Sequence, residues 1–447
     1  MSSDQPIIAL DTRVHPRTWG GVAHATMGLV RALGKLDGPE IYYLIVEDHE
    51  QLDWLRPHCG PNQRIVDKRR WQEDQVNQRR PLTKPTFLRR LIKPAVNLAR
   101  SIHHRLHSEF PSLPQLELSD GFFESLGCDV LHFPSQQFVL AAVPSIYTPH
   151  DLQHLHYPQF FTPFELARRE TVYPAGCHFA HTVIAGTQWI KDDIAKQYSI
   201  NPEKIQVVPW ASPTLAYSDP TPADLLAVRD KYRLESPFAL YPAAAWPHKN
   251  HIRLLEAIAY LRDARGITIR LICTGSIAND YWIHHWPKIE RRMHELSLGD
   301  QVRFLGFVDE KDMRPIYRQA QFLVVPSLFE ADSCPIHEAW IEGVPVTCSN
   351  VTALPDQVQD AGLLFNPKDV QDIARALSRM TTEADLRERL IVLGYQRIKD
   401  FDWDRTARAY RAVYRRAAGV QLTEEDSVLL SWDWMRESRR KLEHVTS

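Results

Sequence analysis

Two glutamates, a lysine and a histidine stand in this chain where an apolar run gives way to a loop. Glu330 and Glu338, with seven residues between them, lie in the stretch Ser327 to Pro345, SLFEADSCPIHEAWIEGVP. The run Phe322-Leu323-Val324-Val325 before it reads as a strand covered on both faces. Pro326 and Ser327 break that strand, and Pro335 suits the first turn of a helix, where a missing N–H costs nothing. Ile336, Ala339 and Trp340 supply an apolar helical face, and Gly343 with Pro345 is a stop signal. Glu330 thus falls on a strand-to-helix loop and Glu338 about one turn into the helix. Open parallel sheets bind ligands at such loops. The unpaired N–H groups of a helix start can hold a phosphate, and carboxylates accept hydrogen bonds from sugar hydroxyls. A nucleotide sugar carries hexose, diphosphate and ribose together. Two solvated glutamates on a surface helix have the same spacing.

Lys249 occupies an equivalent place. The strand Phe238 to Tyr241 leads into PAAAWPHKN, residues 242–250, and a helix follows from His251 to Arg262 or a little beyond. A lysine at the mouth of a parallel sheet can neutralise a leaving diphosphate as a compact point charge; an ordinary surface lysine is the plainer alternative. His150 ends the strand Ser145 to Thr148 and points into a cleft. His154 and His156 follow it, but no carboxylate or cysteine completes a metal ligand set. Gly20-Gly21 separates the strand Ile7 to Leu10 from a helix over Val22 to Leu36, so that backbone amides can approach a ligand closely. A tight turn is the alternative, and the pair is not the GxGxxG dinucleotide fingerprint, so a nicotinamide cofactor is poorly supported. Asp402-Trp403-Asp404 opens a helix, and Asp404 reads as its N-cap rather than as a metal ligand.

The elements that must position these groups alternate strand with helix, as a doubly wound parallel sheet requires. A chain of 447 residues exceeds what one core usually serves, so two domains are expected. Hydrophobic residues at 44% and charged residues at 24% fit an ordinary globular protein, and a net charge of -2 gives no field favouring nucleic acid. Six cysteines form no CxxC pair, which suits reduced thiols in a cytoplasmic protein. No apolar run reaches the ~18 residues of a spanning helix, and the N-terminus lacks the features of a signal peptide. The letters Asn350-Val351-Thr352 spell a glycosylation sequon without a sign of secretion. From Arg64 to Arg105, twelve basic residues face three acidic ones, interleaved with Phe87, Leu88, Leu91, Ile92, Val96, Leu98 and Ile102. That pattern suits an amphipathic helix at an anionic membrane, a groove for an anionic acceptor, or a solvated insertion. No stacking platform accompanies it, so nucleic acid is the poorest partner.

Glu330, Pro335, Glu338-Ala339 and Gly343-Val344-Pro345-Val346 together resemble the donor-site signature of the retaining group 1, glycogen-synthase-like glycosyltransferases. The resemblance covers most of the chain, least at 50–125 and after 420. It implies the GT-B architecture, two Rossmann-like α/β domains facing a central cleft. Their expected extents are 1–212, with a basic insertion around 64–107, and 213–402, followed by C-terminal helices over 403–447. The first of these, Phe401 to Ala417, resembles the family's helix that crosses back to the first domain, and the tail with Trp432, Trp434 and Met435 reads as a packed extra helix. The resemblance further implies a nucleoside-diphosphate sugar as donor, a hydroxyl of a glycan or lipid-linked acceptor, and neither metal nor cofactor. Glu330 would contact the hexose, Glu338 the ribose, Lys249 the phosphates and His150 the hexose. Gly20 and Gly21 would face diphosphate and acceptor, and the turn Gly306 to Val308 the base. Asp332, Ser333, Cys334, Pro335 and Ile336 would line the phosphates. Two departures stand out. Ala244 replaces a usual arginine, so either His248 helps Lys249 or the leaving group is stabilised less than usual, and the loop Ala331 to Cys334 lacks the usual glycines. Both favour a catalytically weakened binding scaffold of the same fold, and a nucleotide-sugar epimerase of the same architecture is a third outcome.

Overall fold

A computed structural model describes residues 5–14, 21–78, 114–212, 218–277 and 285–434. Gly20, the apolar positions of the basic stretch from Phe87 onward, and Met435 lie outside them. The chain forms two parallel sheets. The first is built from β1 (Ile7–Asp11), β2 (Ile41–Val46), β3 (Gln63–Asp67), β5 (Val130–Phe133), β7 (Ser145–Tyr147), β8 (Thr182–Ala185) and β9 (Ile205–Val207). Two short strands, β4 (Glu117–Leu118) and β6 (Val139–Leu140), pair beside it. The second comprises β10 (Ala239–Pro242), β11 (Leu271–Thr274), β12 (Val302–Phe304), β13 (Phe322–Val325), β14 (Val346–Ser349) and β15 (Gly362–Phe365).

Both sheets run outward in opposite directions from a central pair. The orders are β3-β2-β1-β5-β7-β8-β9 and β12-β11-β10-β13-β14-β15. Each therefore has one switch point, between β1 and β5 and between β10 and β13, where consecutive connections depart to opposite faces and leave a crevice. Strands such as β5, β8, β11, β13 and β14 are buried along their whole length, as helices on both faces demand. Part of the basic stretch is ordinary scaffold: Arg64 to Asp67 lies in the edge strand β3, and the helix Lys68–Gln78 follows directly.

Most elements fall where the periodicity predicts them, with instructive shifts. The helix expected over Val22–Leu36 spans Gly21–Leu33. Asn62 Nδ2 donates to the carbonyls of Leu33 and Leu36, and Gln63 Nε2 to that of Val30, so side chains from the β3 approach end the helix early. At the other end of the chain the N-cap is Asp402, not Asp404: Asp402 Oδ1 accepts from Arg405 N at 2.9 Å, and Asp404 sits in the first turn.

The helix Trp403–Ala417 belongs to the core of the first sheet, not the second. Ala407, Tyr410, Val413 and Tyr414 are buried there with Leu10, Leu29, Tyr42 and Leu44, and the following helix Glu424–Ser431 brings Leu429, Trp432 and Trp434 into the same cluster. Three hydrogen bonds join this crossing to the outgoing one: Trp403 Nε1 to Ser212 O at 3.0 Å, Thr406 Oγ1 to Pro209 O at 2.9 Å, and Trp210 Nε1 to Tyr410 Oη at 2.6 Å. Close approach is permitted by Gly28, where a Cβ would lie 2.1 Å from the Trp403 ring. Gly28→Ala is expected to lower stability by about 1–3 kcal/mol through overpacking. Gly21→Ala, at a position with no atom within 4 Å of a Cβ, leaves the urea midpoint unchanged; equal midpoints for the two variants would refute the packing assignment.

Candidate active site

The two switch points face one another across a cavity of about 630 Å³. Its walls come from the carboxyl ends of strands in both sheets: Gly21 and Val22 after β1, Gln136 and Gln137 after β5, His150 after β7, Gly186 after β8, Trp246, His248 and Lys249 after β10, and Phe329 to Asp332 with Cys334 after β13. Of the residues singled out in the sequence, His150, Lys249, Glu330, Gly21, His248, Asp332 and Cys334 meet here.

Lys249 and Glu330 form the centre. Lys249 Nζ donates to Glu330 Oε1 at 2.6 Å, with the two side chains only 18% and 10% exposed. Ser327 Oγ donates to the same oxygen at 2.6 Å. Thr352 Oγ1 clasps the Glu330 backbone, accepting from its N–H and donating to its carbonyl. Tyr241 Oη donates to the Lys249 carbonyl at 2.7 Å, and Asn250 Nδ2 ties the adjoining turn to the carbonyls of Pro326 and Pro367. An ammonium has three N–H donors, so the Glu330 contact leaves two for a ligand.

His150 has a left-handed backbone, φ 66°, which a non-glycine residue adopts at a cost in strain. Its Nε2 lies 2.9 Å from Pro134 O, which assigns the proton to Nε2 and leaves Nδ1 as an acceptor. The Trp210 ring packs edge-on against it at 4.7 Å. Burial pushes the imidazole down to about 4, so at neutral pH it is an uncharged hydrogen-bonding group. His154 and His156 do not join it: His154 contacts Tyr198 Oη, and His156 pairs with Asp193 at 2.8 Å. Among the described residues, no group of three or more His, Cys, Asp or Glu side chains is placed to hold a metal ion.

The loop Ala331 to Cys334 is pinned rather than open. Ser333 N–H donates to Gln357 Oε1 and its carbonyl accepts from Gln357 Nε2, both at 3.0 Å. Asp332 lies on the cavity wall, and its Oδ1 is sealed from water without a hydrogen-bond partner. Burial pushes its carboxyl up to about 7, with the Glu330 charge acting the same way against a backbone hydrogen bond at Ser333. His248 is buried with an unpartnered Nδ1, and burial holds its imidazole well below the usual range. Burial holds the Cys334 thiol well above its usual range.

The remaining candidates stand off the wall. Ser333 is buried, Pro335 is in the first helical turn, and the Ile336 side chain belongs to the core. Val308 packs in that same core, while Phe307 beside it is 77% exposed. Glu338 Oε2 accepts from Tyr317 Oη at 2.6 Å, and burial raises its carboxyl.

Sequence reasoning missed one wall of the cavity. Glu165, Arg168 and Arg169 line it from the helix Pro163–Phe179, whose start is set by the Thr162 N-cap and Pro163. Arg168 makes a two-pronged contact to Glu165, both at 2.9 Å, and Arg169 Nε donates to it at 2.8 Å. Arg169 Nη1 is buried without a hydrogen bond, 3.6 Å from Asp151. The run Thr-Pro-x-Glu followed by a double arginine was the available signal. Tyr410, supplied by the crossing helix, had none. Three contacts also clamp the Glu330 loop from the first domain: Tyr157 Oη to Leu328 O at 3.2 Å, Thr187 Oγ1 to Ala331 O at 3.3 Å, and the Phe329 ring among Trp189, His156 and Tyr157.

Paired doubly wound domains with a cleft of this kind define the GT-B fold. Solved structures share it: sucrose-phosphate synthase from Thermosynechococcus elongatus (TM-score 0.62, 21% identity, 92% of this chain and 98% of that one) and the Anabaena protein HepE in complex with UDP and glucose (0.62, 16%, 92% and 99%). The family model described as glycosyl transferases group 1 matches residues 228–397, and that of glycosyltransferase family 4 matches 19–211. The chain belongs to the group 1 glycosyltransferases. Relatives include the O-antigen chain mannosyltransferase B of Escherichia coli, 29% identical over 60% of this chain and 70% of that protein. The O-antigen chain mannosyltransferase RfbU of Salmonella typhimurium is 26% identical over 52% and 60%. The MMP α-(1→4)-mannosyltransferase of Mycolicibacterium hassiacum is 26% identical over 50% and 51%, so the match spans about half of that relative.

An acid whose pKa rises on folding binds its proton more tightly in the folded state, so its ionisation erodes stability as pH rises from the ordinary carboxylate range through about 7. Asp332→Asn removes that erosion. It is expected to raise the melting temperature at pH 8 and to do so less at pH 5. An equal shift at both pH values would place the Asp332 carboxyl in water.

Proposed function

We propose that this glycosyltransferase moves a hexose, with mannose from GDP-mannose as the first candidate, from a nucleoside diphosphate to a hydroxyl of a glycan or lipid-linked acceptor, retaining anomeric configuration and using no metal. The Lys249–Glu330 pair at a switch point, beside a helix start and opposite a second switch point, is the observation that carries this reading. The mannosyltransferase relatives support the sugar.

In the proposed step the C1–O bond to the β-phosphate breaks and the acceptor oxygen bonds C1 on the same face. The acceptor proton passes to the departing phosphate oxygen. The two remaining Lys249 donors and the start of the helix Cys334–Ile341 hold the charge that develops there. Glu330 orients the hexose, His150 accepts through Nδ1 or holds the sugar by its backbone, and Glu338 with Tyr317 takes the ribose. Gly21 leaves room for the acceptor and diphosphate, and Arg168 and Arg169 face the acceptor half. The basic stretch 64–107 would bring the enzyme to an anionic inner membrane face, which co-sedimentation with phosphatidylglycerol vesicles tests.

Anomeric proton NMR on the product, with and without EDTA, tests the mechanism: inverted configuration or loss of turnover in EDTA contradicts it. Lys249→Ala and Glu330→Gln should each lower turnover by about 100-fold or more, the scale for losing one electrostatic stabiliser. Normal rates in either move the centre elsewhere. A catalytically weakened binding module is the second reading, favoured by Ala244, which offers a methyl group where the family usually has an arginine. Donor that binds but is never hydrolysed or transferred would establish it, and donor converted without acceptor would indicate an epimerase.

A further inference from the structure

We propose that a second cavity, between the two domains and beside the turn that carries Lys249, binds a small phosphate ester. This space is separate from the Lys249–Glu330 site, and the proposal stands whether or not that site transfers a sugar. The second cavity has a volume of about 580 Å³, within the range of small-ligand sites. Among the described residues its lining shares none with the first cavity. Gln159 and Phe160 reach it from the first domain. Arg253 and Glu256 come from the helix His251–Arg265 of the second, and Lys288 from the helix Trp286–Glu295.

Charge decides the class of ligand. Arg253 Nη1 donates to the uncharged Asn250 Oδ1 at 3.1 Å. Among the described residues no carboxylate lies within ion-pair reach of Arg253 or Lys288. Glu256 is the sole carboxylate on the described lining, and Arg292 already holds it, Nη2 at 3.0 Å and Nε at 3.1 Å. Arg292 also reaches Glu295, which is not part of the lining. His285 adds no charge, because burial, with the Lys288 ammonium acting the same way, holds its imidazole below the usual range. Two cations therefore line the cavity without an anion of their own. A guanidinium fork and a compact ammonium together suit the oxygens of a phosphate. Ile252, Leu328 and Phe160 give the same cavity apolar surface, and the Phe160 ring stacks on Tyr157 with centroids 5.2 Å apart. Such surface suits a sugar or base ring, so an ester fits the space better than bare phosphate.

Isothermal titration of the full chain with inorganic phosphate, glucose-6-phosphate and AMP tests the assignment, and the two esters separate a sugar phosphate from a nucleotide as the source. At least one ester is expected to bind more tightly than inorganic phosphate and than its uncharged counterpart, glucose or adenosine. Arg253→Gln should weaken that ester about tenfold, the scale of one charge-assisted hydrogen bond. Lys288→Glu should weaken it by about as much or more, and its exposed position guards against a folding defect. Lys249→Ala, in the other cavity, should leave the affinity within about twofold. The proposal is overturned if neither ester binds, if neither binds more tightly than inorganic phosphate, or if both lining variants keep the wild-type affinity. Binding lost in Lys249→Ala alone places the ester in the first cavity and overturns it equally.

Discussion

The ion pair between Lys249 and Glu330 is the contact on which the site depends. Its partners come from the loops after β10 and β13, the adjacent strands on either side of the second switch point. Two charges this far from water are a net cost unless their remaining hydrogen-bonding capacity is met. Ser327 supplies one such bond to the Glu330 carboxylate, while Thr352, Tyr241 and Asn250 fix the backbone around the pair and two of the Lys249 donors stay open. The centre therefore presents directed N–H groups while carrying almost no net charge. On the proposed function, a diphosphate arriving there would complete an arrangement already built and need not reorganise it.

That centre is supported from outside its own domain. Tyr157, Thr187 and the aromatic group around Phe329 hold the Glu330 loop from the first sheet, and the helix Trp403–Ala417 places Tyr410 on the opposite wall. Tyr410 in turn receives the Trp210 N–H, and Trp210 packs on His150. The two chain crossings are thus tied to each other and to the wall of the cavity. Domain placement and site geometry are two aspects of one set of contacts.

Much of this was legible in the sequence because it follows from local rules. Apolar runs ending in Pro located β10 and β13, and Pro335 located a helix start. The residues after such runs, His150, Lys249 and Glu330, converge because the doubly wound topology sends every strand's carboxyl end to the cleft. What was not legible depends on distant partners. The end of the first helix is set by Asn62 and Gln63, thirty residues away. The cap at Asp402 differs from Asp404 by one choice of backbone hydrogen bond. Ser333 and Val308 face inward because Gln357 and the core of the second domain claim them. The cavity wall of Glu165, Arg168 and Arg169 comes from a helix whose polar face reads like any solvated surface until the opposing domain covers it.

The crossing helix also orders events at the ribosome. The core beneath β1 and β2 includes Tyr410, Val413, Tyr414 and Trp434, which are synthesised some two hundred residues after β9. While the second lobe is being made, the nascent first lobe carries an uncovered apolar trench where those side chains will lie. Exposed surface of that kind invites chaperones and aggregation alike, so emergence of the crossing helix and the residues to Trp434, rather than completion of either sheet, is the moment at which the core of the N-terminal half is covered.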